Sequence, residues 1–507
     1  MKNLMVTDPE LVIGLVGRLG VDTKNVSKLV SEQLRALHYE SVTIKITDYL
    51  KTKKFEIPVN DQKIEERYRS YIDACNHIRE KANRNDFFVS YAIQRIINER
   101  STVTGSETEP APRRAYIIDQ IKRPEEAEAF RKVYGKQFVL ISCHMTIDRR
   151  VDTLSRKIAE GHAELPKFKE WETEAKSLIA RDENESNKPY GQRVADVFPQ
   201  ADVIVSADKN DEIKNGLRRF FEALFGNFRV SPTKSEFLQN IAFQSALTSC
   251  DTARQVGAVT SRDGDIISTG FNEAPKAFGG TYWAEDGEDG RDIYLGKDIN
   301  TVRKRHMVID IVRTLLDAKL LVASKIDLDR LEEQMLDGEN APLKKTQIMD
   351  TLEYGRAVHA EMAAITSAAR LGLSLKGASL HCTTFPCHNC SKHIVASGIK
   401  TVFYLEPYDK SFTDQLHPDS VEIDTSKPSQ DKVQFRQFVG ITPNRYADIF
   451  AKSKLKDKKG TVVDWDKARS QPIIGKLDQA HIDREVLFQK ELVDSIGPSI
   501  QQYLGLA

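Results

Sequence analysis

The feature that most limits how this chain can fold is an alternation. Over its first 225 or so residues, short β-rich runs (LVIGLVG, SVTIKIT, AYIIDQI, FVLISCH and DVIVSA) are separated by amphipathic stretches such as KIEERYRSYIDACNHIREKAN. Strands that are apolar on both faces need cover on both, and helices between successive strands supply it. The pattern therefore predicts an α/β unit built on a doubly wound parallel sheet. At roughly 100–200 residues per domain, 507 residues are too many for one core. A break is expected in FGNFRVSPTKSEF, where Gly226, Pro232 and a helix cap at Thr233 punctuate the chain. A second alternation follows: the helix-like KSEFLQNIAFQSALTSC, strands VGAVTS and DIISTGF, a helix from HAE, strand ASLHCT, a helix from PCHNC and strand TVFYL. The expected organisation is a first domain over 1–228, a second α/β/α domain over 233–425 and a C-terminal extension over 426–507. An insertion at about 284–350 interrupts the second domain, first polar (AEDGEDGRD) and then helix-like (VRKRHMVIDIVRTLLDAKLL). The lysine-rich KSKLKDKKG reads as a solvated loop.

Lys plus Arg and Asp plus Glu both number 74, so no bulk positive field draws in nucleic acid. No segment stays apolar for the roughly 18 residues that a membrane helix needs, and MKNLMVTDPE carries no apolar signal core. The expected setting is the cytoplasm, away from membranes. Six cysteines are too few for a disulfide scaffold, and the spacing of Cys387 and Cys390 suits metal or redox chemistry better.

The chemistry-bearing residues are HAEMAAI, from His359, and TTFPCHNC, ending at Cys390. A catalytic zinc takes three protein ligands and leaves a position for water, which it acidifies; His359, Cys387 and Cys390 make that count. Two cysteines three apart at a helix start put both sulfurs at the positive end of the helix dipole. His359 and Glu361, two apart, would diverge by about 200° inside a helix and can serve one site only in its first turn. There Glu361 can take a proton from water and pass it on without being a ligand. Alone, an HAE triplet is common by chance, and a lone C-x-x-C can be structural zinc, redox or coincidence. Together, with Pro386 before the first cysteine, they match the H-x-E and P-C-x-x-C signature of zinc-dependent nucleobase deaminases. Cys75, Cys143, Cys250 and Cys382 read as small hydrophobes, and His381, His388 and His393 as packing or surface residues.

On these residues the second domain resembles the deoxycytidylate deaminase branch of the cytidine deaminase superfamily. SCDTARQVGAVTSRDGDIISTGFNEAP is similar to that branch's first helix end and first two strands, with Phe271, Asn272 and Pro275 in its aromatic-Asn-x-x-Pro turn. The resemblance implies Zn2+ as cofactor, Glu361 as the catalytic acid–base and free deoxycytidine nucleotides as substrates. It further implies a sugar contact at Asn272 and a base pocket lined by the Ala258 backbone. Arg254, Tyr408 and Lys410 are then expected near sugar or phosphate.

In the first domain, GLVGRLGVDTKNV follows a strand and opens a helix, and it resembles the phosphate-cradling loop of nucleotide kinases through Gly14, Gly17, Gly20 and Lys24. Where a working loop reads Gly-Lys-Ser/Thr, this chain has Asp22, Thr23 and Lys24, so the clamping lysine is displaced and phosphoryl transfer is not expected. A degenerate P-loop kinase-like domain ahead of a deaminase-like domain resembles the bacterial anti-phage deoxycytidine nucleotide deaminases. That resemblance implies conversion of dCTP and dCMP to dUTP and dUMP and depletion of the dCTP pool. It also implies a homo-oligomer, a regulatory nucleotide at the N-terminal domain and, in some members, an inhibitory small RNA. The alternatives are a polynucleotide-editing deaminase, which needs a basic and aromatic strand-binding surface, a bifunctional nucleotide kinase and deaminase, and a binding protein with a decayed site.

Overall fold

The computed structural model describes residues 8–185, 187–322, 326–338, 341–408, 410–474 and 480–506. Most of the N-terminal stretch read for a signal core lies outside them. The chain forms two compact units, one of residues 1–240, 424–429 and 436–507, the other of 241–423 and 430–435.

The first unit is built on strands β1 (Leu11–Gly17), β2 (Glu40–Lys45), β3 (Arg114–Asp119), β4 (Phe138–His144) and β5 (Val203–Ser206). They lie in the order 5-4-1-3-2 and all pair in parallel. β1 and β4 are buried along their whole length, as central strands covered on both faces must be. Leu11, Ile13 and Leu15 point to one face, in a core shared with Val26 and Val30 of helix Thr23–Arg35 and Leu217 and Phe221 of helix Asn210–Leu224. The opposite face lies under helix Pro124–Tyr134, whose Phe130 ring stacks on Phe138 at 5.2 Å.

The C-terminal residues complete this unit. The two-residue strand Gly440–Ile441 pairs antiparallel with β5, and helix His481–Ser495 is held by a buried ionic knot. Arg100, fully buried, donates to Glu485 at 2.7 Å and Glu10 at 2.9 Å, and His481 reaches Glu10 at 3.1 Å. Buried charges of this kind persist only when their hydrogen bonds are complete. The lysine-rich stretch 452–460 is an exposed loop.

Helix Lys234–Ala246 starts with a reciprocal capping box: Glu236 N–H donates to Thr233 Oγ1 at 3.2 Å, and Thr233 N–H to the Glu236 carboxylate at 2.7 Å. The second unit then contributes β6 (Gly257–Arg262), β7 (Asp265–Phe271), β8 (Ser379–Thr384), β9 (Thr401–Glu406), β10 (Val421–Ile423) and β11 (Val433–Gln437), ordered 10-11-9-8-6-7. β6 and β7 form a hairpin whose two turn residues, Asp263 and Gly264, both have positive φ (55° and 103°), the Asp-Gly turn matched to strand twist. β8 runs antiparallel to β6 and parallel to β9. Helix Ala360–Arg370 lies on β7 through Ala360, Ala364 and Ala368, all at 0% exposure. The contact is so close that a Cβ on Gly270 would stand 2.3 Å from the Ala360 carbonyl oxygen. Small residues on both sides therefore decide where this helix begins, and its beginning carries the site.

Candidate metal centre and active site

His359 is the N-cap of helix Ala360–Arg370, and Cys387 is the N-cap of helix His388–Ala396. Both keep extended backbone (φ −62°, ψ 151° and φ −66°, ψ 163°), which turns their side chains off the helix ends and towards each other. Cys387 Sγ and Cys390 Sγ lie 3.3 and 3.4 Å from His359 Nδ1. The three donor atoms fall within 4.8 Å of one another, and among the described residues no other His, Cys, Asp or Glu group gathers in this way. Tetrahedral bonds of about 2.3 Å to sulfur and 2.0–2.1 Å to nitrogen would set S···N near 3.5 Å, so the spacing fits zinc.

Neighbouring contacts fix both ligand segments. Val358 and Glu273 exchange backbone hydrogen bonds (2.9 and 3.2 Å), which tie the lead-in of His359 to the residue two beyond β7. Ser411 Oγ donates to the Pro386 carbonyl at 2.9 Å, Ser391 Oγ to the Cys387 carbonyl at 3.1 Å, and Thr413 joins both hydroxyls.

Electrostatics separates the two thiols. The hydrogen bond with Cys390, followed by that with His359, holds Cys387 down at about 4 despite its burial. Cys390 is pushed well above the thiol range by the same bond to Cys387 and by burial. A metal taken up here would be held by both sulfurs as thiolates, with release of any proton they carry. Glu361, 4% exposed, lies in the first turn of its helix with its Oε2 3.5 Å from Cys390 Sγ. Burial, followed by the charge of Cys387, raises its carboxyl above the ordinary range.

His359, Glu361 and Cys387 open on a cavity of about 410 Å³. Arg254, Asn272, Tyr408 and Lys410 line it, with the Arg254 guanidinium 5.7 Å from the centre of the Tyr408 ring. One expectation needs correction. Ala258 does not line the cavity: it is fully buried inside β6, paired with Cys382 and Gly270, and Val256, just before the strand, reaches the cavity instead. Asn272 lines it with an amide already engaged, its Oδ1 accepting from Val256 N–H (2.7 Å) and its Nδ2 donating to the Arg254 carbonyl (2.8 Å). It staples the loop that carries Arg254. The first part of the insertion and the segment just after it supply lining residues that the sequence did not single out, among them Asp292, Asn300 and Arg356, the last paired with Asp292 at 2.6 Å. Of the remaining histidines, His381 is buried against Phe403 (ring centres 4.6 Å apart), and burial lowers its imidazole to about 3. Cys250 is half-buried and accepts from Arg291 at 3.4 Å.

The first unit's glycine loop is arranged differently from expectation. Gly14 sits inside β1, where a Cβ would strike the side chains of Ile121, Leu140 and Phe138, so packing accounts for it. Gly17 ends β1, Gly20 has φ +106° and lies against the Arg150 backbone, and Lys24 is exposed in the first turn of its helix. Several loop donors are met from within the chain. Leu19 N–H donates to Asp182 (3.0 Å), Gly17 N–H to Gln120 (3.3 Å) and Asn25 N–H to Asp22 (3.1 Å). Lys122 neutralises Asp182 at 2.7 Å.

Among the described residues no helix is long and apolar enough to cross a membrane. Residues 232–406 match the family model of the cytidine and deoxycytidylate deaminase zinc-binding region, a span that contains both helix starts and the whole cavity wall except Lys410 and Tyr408. The deoxycytidylate deaminase of Enterobacteria phage T4 is 31% identical over 182 residues, covering 35% of this chain and 80% of the relative. That of mouse is 27% identical over 124 residues, covering 24% and 56%. A crystal structure of dCMP deaminase from cyanophage S-TIM5 aligns with 41% of this chain and 99% of its own at 18% identity, with a TM-score of 0.22. Since the alignment with the phage T4 enzyme spans most of that relative, this chain belongs to the deoxycytidylate deaminase family.

Proposed function

We propose that the second unit is a zinc-dependent hydrolase that deaminates free deoxycytidine nucleotides, dCMP and dCTP, to the corresponding deoxyuridine nucleotides. The observation that carries this reading is the meeting of two helix starts, which places His359 Nδ1 and two cysteine sulfurs within 4.8 Å, beside the buried Glu361, at the floor of one cavity. Zinc held by these three side chains would acidify water and supply the nucleophile. Glu361 carries two protons in turn, one from water to the ring nitrogen of the base and a second from the hydroxyl added at C4 to the amine, which departs as ammonia while that C4 oxygen becomes the carbonyl. Its burial keeps bulk water from that exchange. Arg254, Arg356 and Lys410 rim the cavity and attract the nucleotide phosphates. The cavity's size lies near the lower end of ligand pockets, about 300–1,000 Å³, and the acids Asp251, Asp292 and Asp298 in its wall oppose a long polyanion. Both features favour a free nucleotide over a nucleic-acid strand.

The test is to incubate the zinc-loaded chain with dCMP, dCTP, CMP and single-stranded DNA and RNA, and to score cytosine-to-uracil conversion by mass. Conversion of free deoxycytidine nucleotides supports the reading, whereas conversion confined to polynucleotides, or none with any substrate, overturns it. In a bacterial host such an activity drains the dCTP pool that an infecting phage needs; plaque counts unchanged by an active gene would refute that role. The first unit is proposed as a scaffold without phosphoryl transfer, because Asp182 already occupies a loop donor that a phosphate would use. Transfer of labelled γ-phosphate to any nucleoside monophosphate at kinase rates would contradict it.

A further inference from the structure

A chain of three hydroxyls runs behind the metal ligands, and none of its members lines the cavity. Thr413 opens the short helix Thr413–Leu416 and is fully buried, as is Ser391. Thr413 Oγ1 stands 2.7 Å from Ser391 Oγ and 2.8 Å from Ser411 Oγ. Ser391 in turn reaches the Cys387 carbonyl (3.1 Å), and Ser411 the Pro386 carbonyl (2.9 Å). Each hydroxyl has a single proton, so three protons cannot fill all four of these hydrogen bonds at once. The Cys387 carbonyl can do without a hydroxyl, because Ser391 N–H donates to it at 2.9 Å. The Pro386 carbonyl has no second donor among the described residues, and Pro386 is buried, where an unpaired acceptor is costly. The protons therefore run from Ser391 to Thr413, from Thr413 to Ser411 and from Ser411 to the Pro386 carbonyl, each bond polarising the next.

The Pro386 carbonyl oxygen and the Cys387 N–H share one rigid peptide plane. Holding that oxygen fixes the rotation about the Cys387 N–Cα bond, and the Ser391 N–H fixes the peptide plane on the other side. The two dihedrals of Cys387 (φ −66°, ψ 163°) are thereby set, and with them the place of a sulfur 3.3 Å from His359 Nδ1. Resting on the zinc part of the reading above, we propose that Thr413 is a positioning residue for the metal centre. Its hydroxyl carries the hydrogen-bond chain that locks the Pro386–Cys387 peptide plane and so holds Cys387 Sγ in place for zinc. Among the described residues Thr413 makes no side-chain hydrogen bond to His359, Cys387 or Cys390, so it acts through Ser411 and the backbone. A ligand held in place before the metal arrives binds it more tightly, because less order has to be created on binding.

The experiment measures the zinc affinity of the full chain by chelator competition, with turnover of dCMP and dCTP alongside. Thr413→Val, close in shape but without the hydroxyl, should weaken zinc by about 10- to 100-fold, the range for outer partners of metal ligands. Thr413→Ser keeps the hydroxyl and should recover most of that loss. Ser411→Ala should weaken zinc as Thr413→Val does, and the double variant should lose no more than Ser411→Ala alone, because both residues act in one chain. Zinc affinity unchanged in Thr413→Val overturns the proposal, and so does an equal loss in Thr413→Val and Thr413→Ser, which would assign the effect to packing. If Thr413→Val fails to fold, Ser411→Ala, at a half-buried position, decides instead. Weakened zinc there sustains the proposal, and wild-type affinity overturns it. Turnover keeps this proposal apart from the reading it rests on. Zinc bound without conversion of either nucleotide refutes the deaminase reading and leaves the affinities to decide Thr413, whereas a wild-type chain that takes up no zinc overturns the role of Thr413.

Discussion

Replacing Gly270 by alanine tests whether the seat of one helix sets the catalytic geometry. The added Cβ would stand 2.3 Å from Ala360 O, 2.4 Å from Ala364 N and 3.0 Å from Ala363 C, all of them backbone atoms. A carbon normally approaches a carbonyl oxygen no closer than about 3.3 Å, so the helix must retreat by roughly 1 Å. It cannot yield at one residue alone: Ala360, Ala364 and Ala368 are all packed at 0% exposure, and the Ala364 carbonyl also accepts from Ser268 Oγ at 2.8 Å. Overpacking of this kind costs about 1–3 kcal/mol in stability. The retreat also carries His359 and Glu361 with it, and a displacement of about 1 Å at reacting groups can cost about 100-fold in rate. Thermal unfolding, zinc content and dCMP turnover should be measured together. Gly287→Ala serves as the control, because a Cβ there meets nothing within 4 Å. A Gly270→Ala protein that melts and turns over like the wild type would refute the claim that this close approach positions the site.

Glu361→Gln should keep zinc and fold while losing about 10²- to 10⁴-fold in rate, as expected when the proton carrier goes and the metal stays; near-normal turnover would place the proton transfer elsewhere. Cys387→Ser should lose both zinc, measured by elemental analysis, and activity, and full activity in metal-free protein would sink the mechanism. Acid should loosen the first unit through Glu10. Burial pushes that carboxyl up, but hydrogen bonds from His481 and Arg100 outweigh it and hold it down at about 2, against 4.5 in the unfolded chain. Because the folded value is the lower one, its contribution of about 3 kcal/mol is complete above pH 4.5 and fades as pH falls from there through 2. Glu10→Gln should flatten the acid limb of the unfolding curve, and an unchanged limb would count against the network.

What the sequence disclosed follows the range of the interactions involved. β1 and β4 were legible because burial on both faces leaves unbroken apolar runs. The placing of His359 and Glu361 was legible for a geometric reason: residues two apart converge only at a helix start, so the pair predicts its own position. Contacts between distant segments were not legible. Gly440–Ile441 is too short to show a strand period and is a strand only because β5 offers it an edge. Asn300 is tied to Thr351, 51 residues away, and Arg356 to Asp292, 64 residues away. Ala258 shows a different limit: it lies within β6, while the cavity wall is reached just before that strand, at Val256. The resemblance groups Gly14 with the loop glycines, whereas the side chains packed over β1 account for it.

The two units treat their helix starts in opposite ways, and this difference explains why one is read as an active site and the other as a scaffold. In the second unit, Cys387 and His359 occupy the N-cap positions with no capping hydrogen bond from their side chains, so sulfur and imidazole nitrogen stay available to a metal. Asp22 holds the equivalent position in the first unit and spends its carboxylate on Asn25 N–H, while Asp182 takes the Leu19 N–H. A helix N-terminus attracts anions whatever their source. Here the chain itself supplies two of them, with Lys122 neutralising one, and an incoming phosphate would meet negative charge where it needs donors. GLVGRLG thus turns with Gly20 at positive φ, and the loop's N–H donors at Gly17 and Leu19 serve the fold.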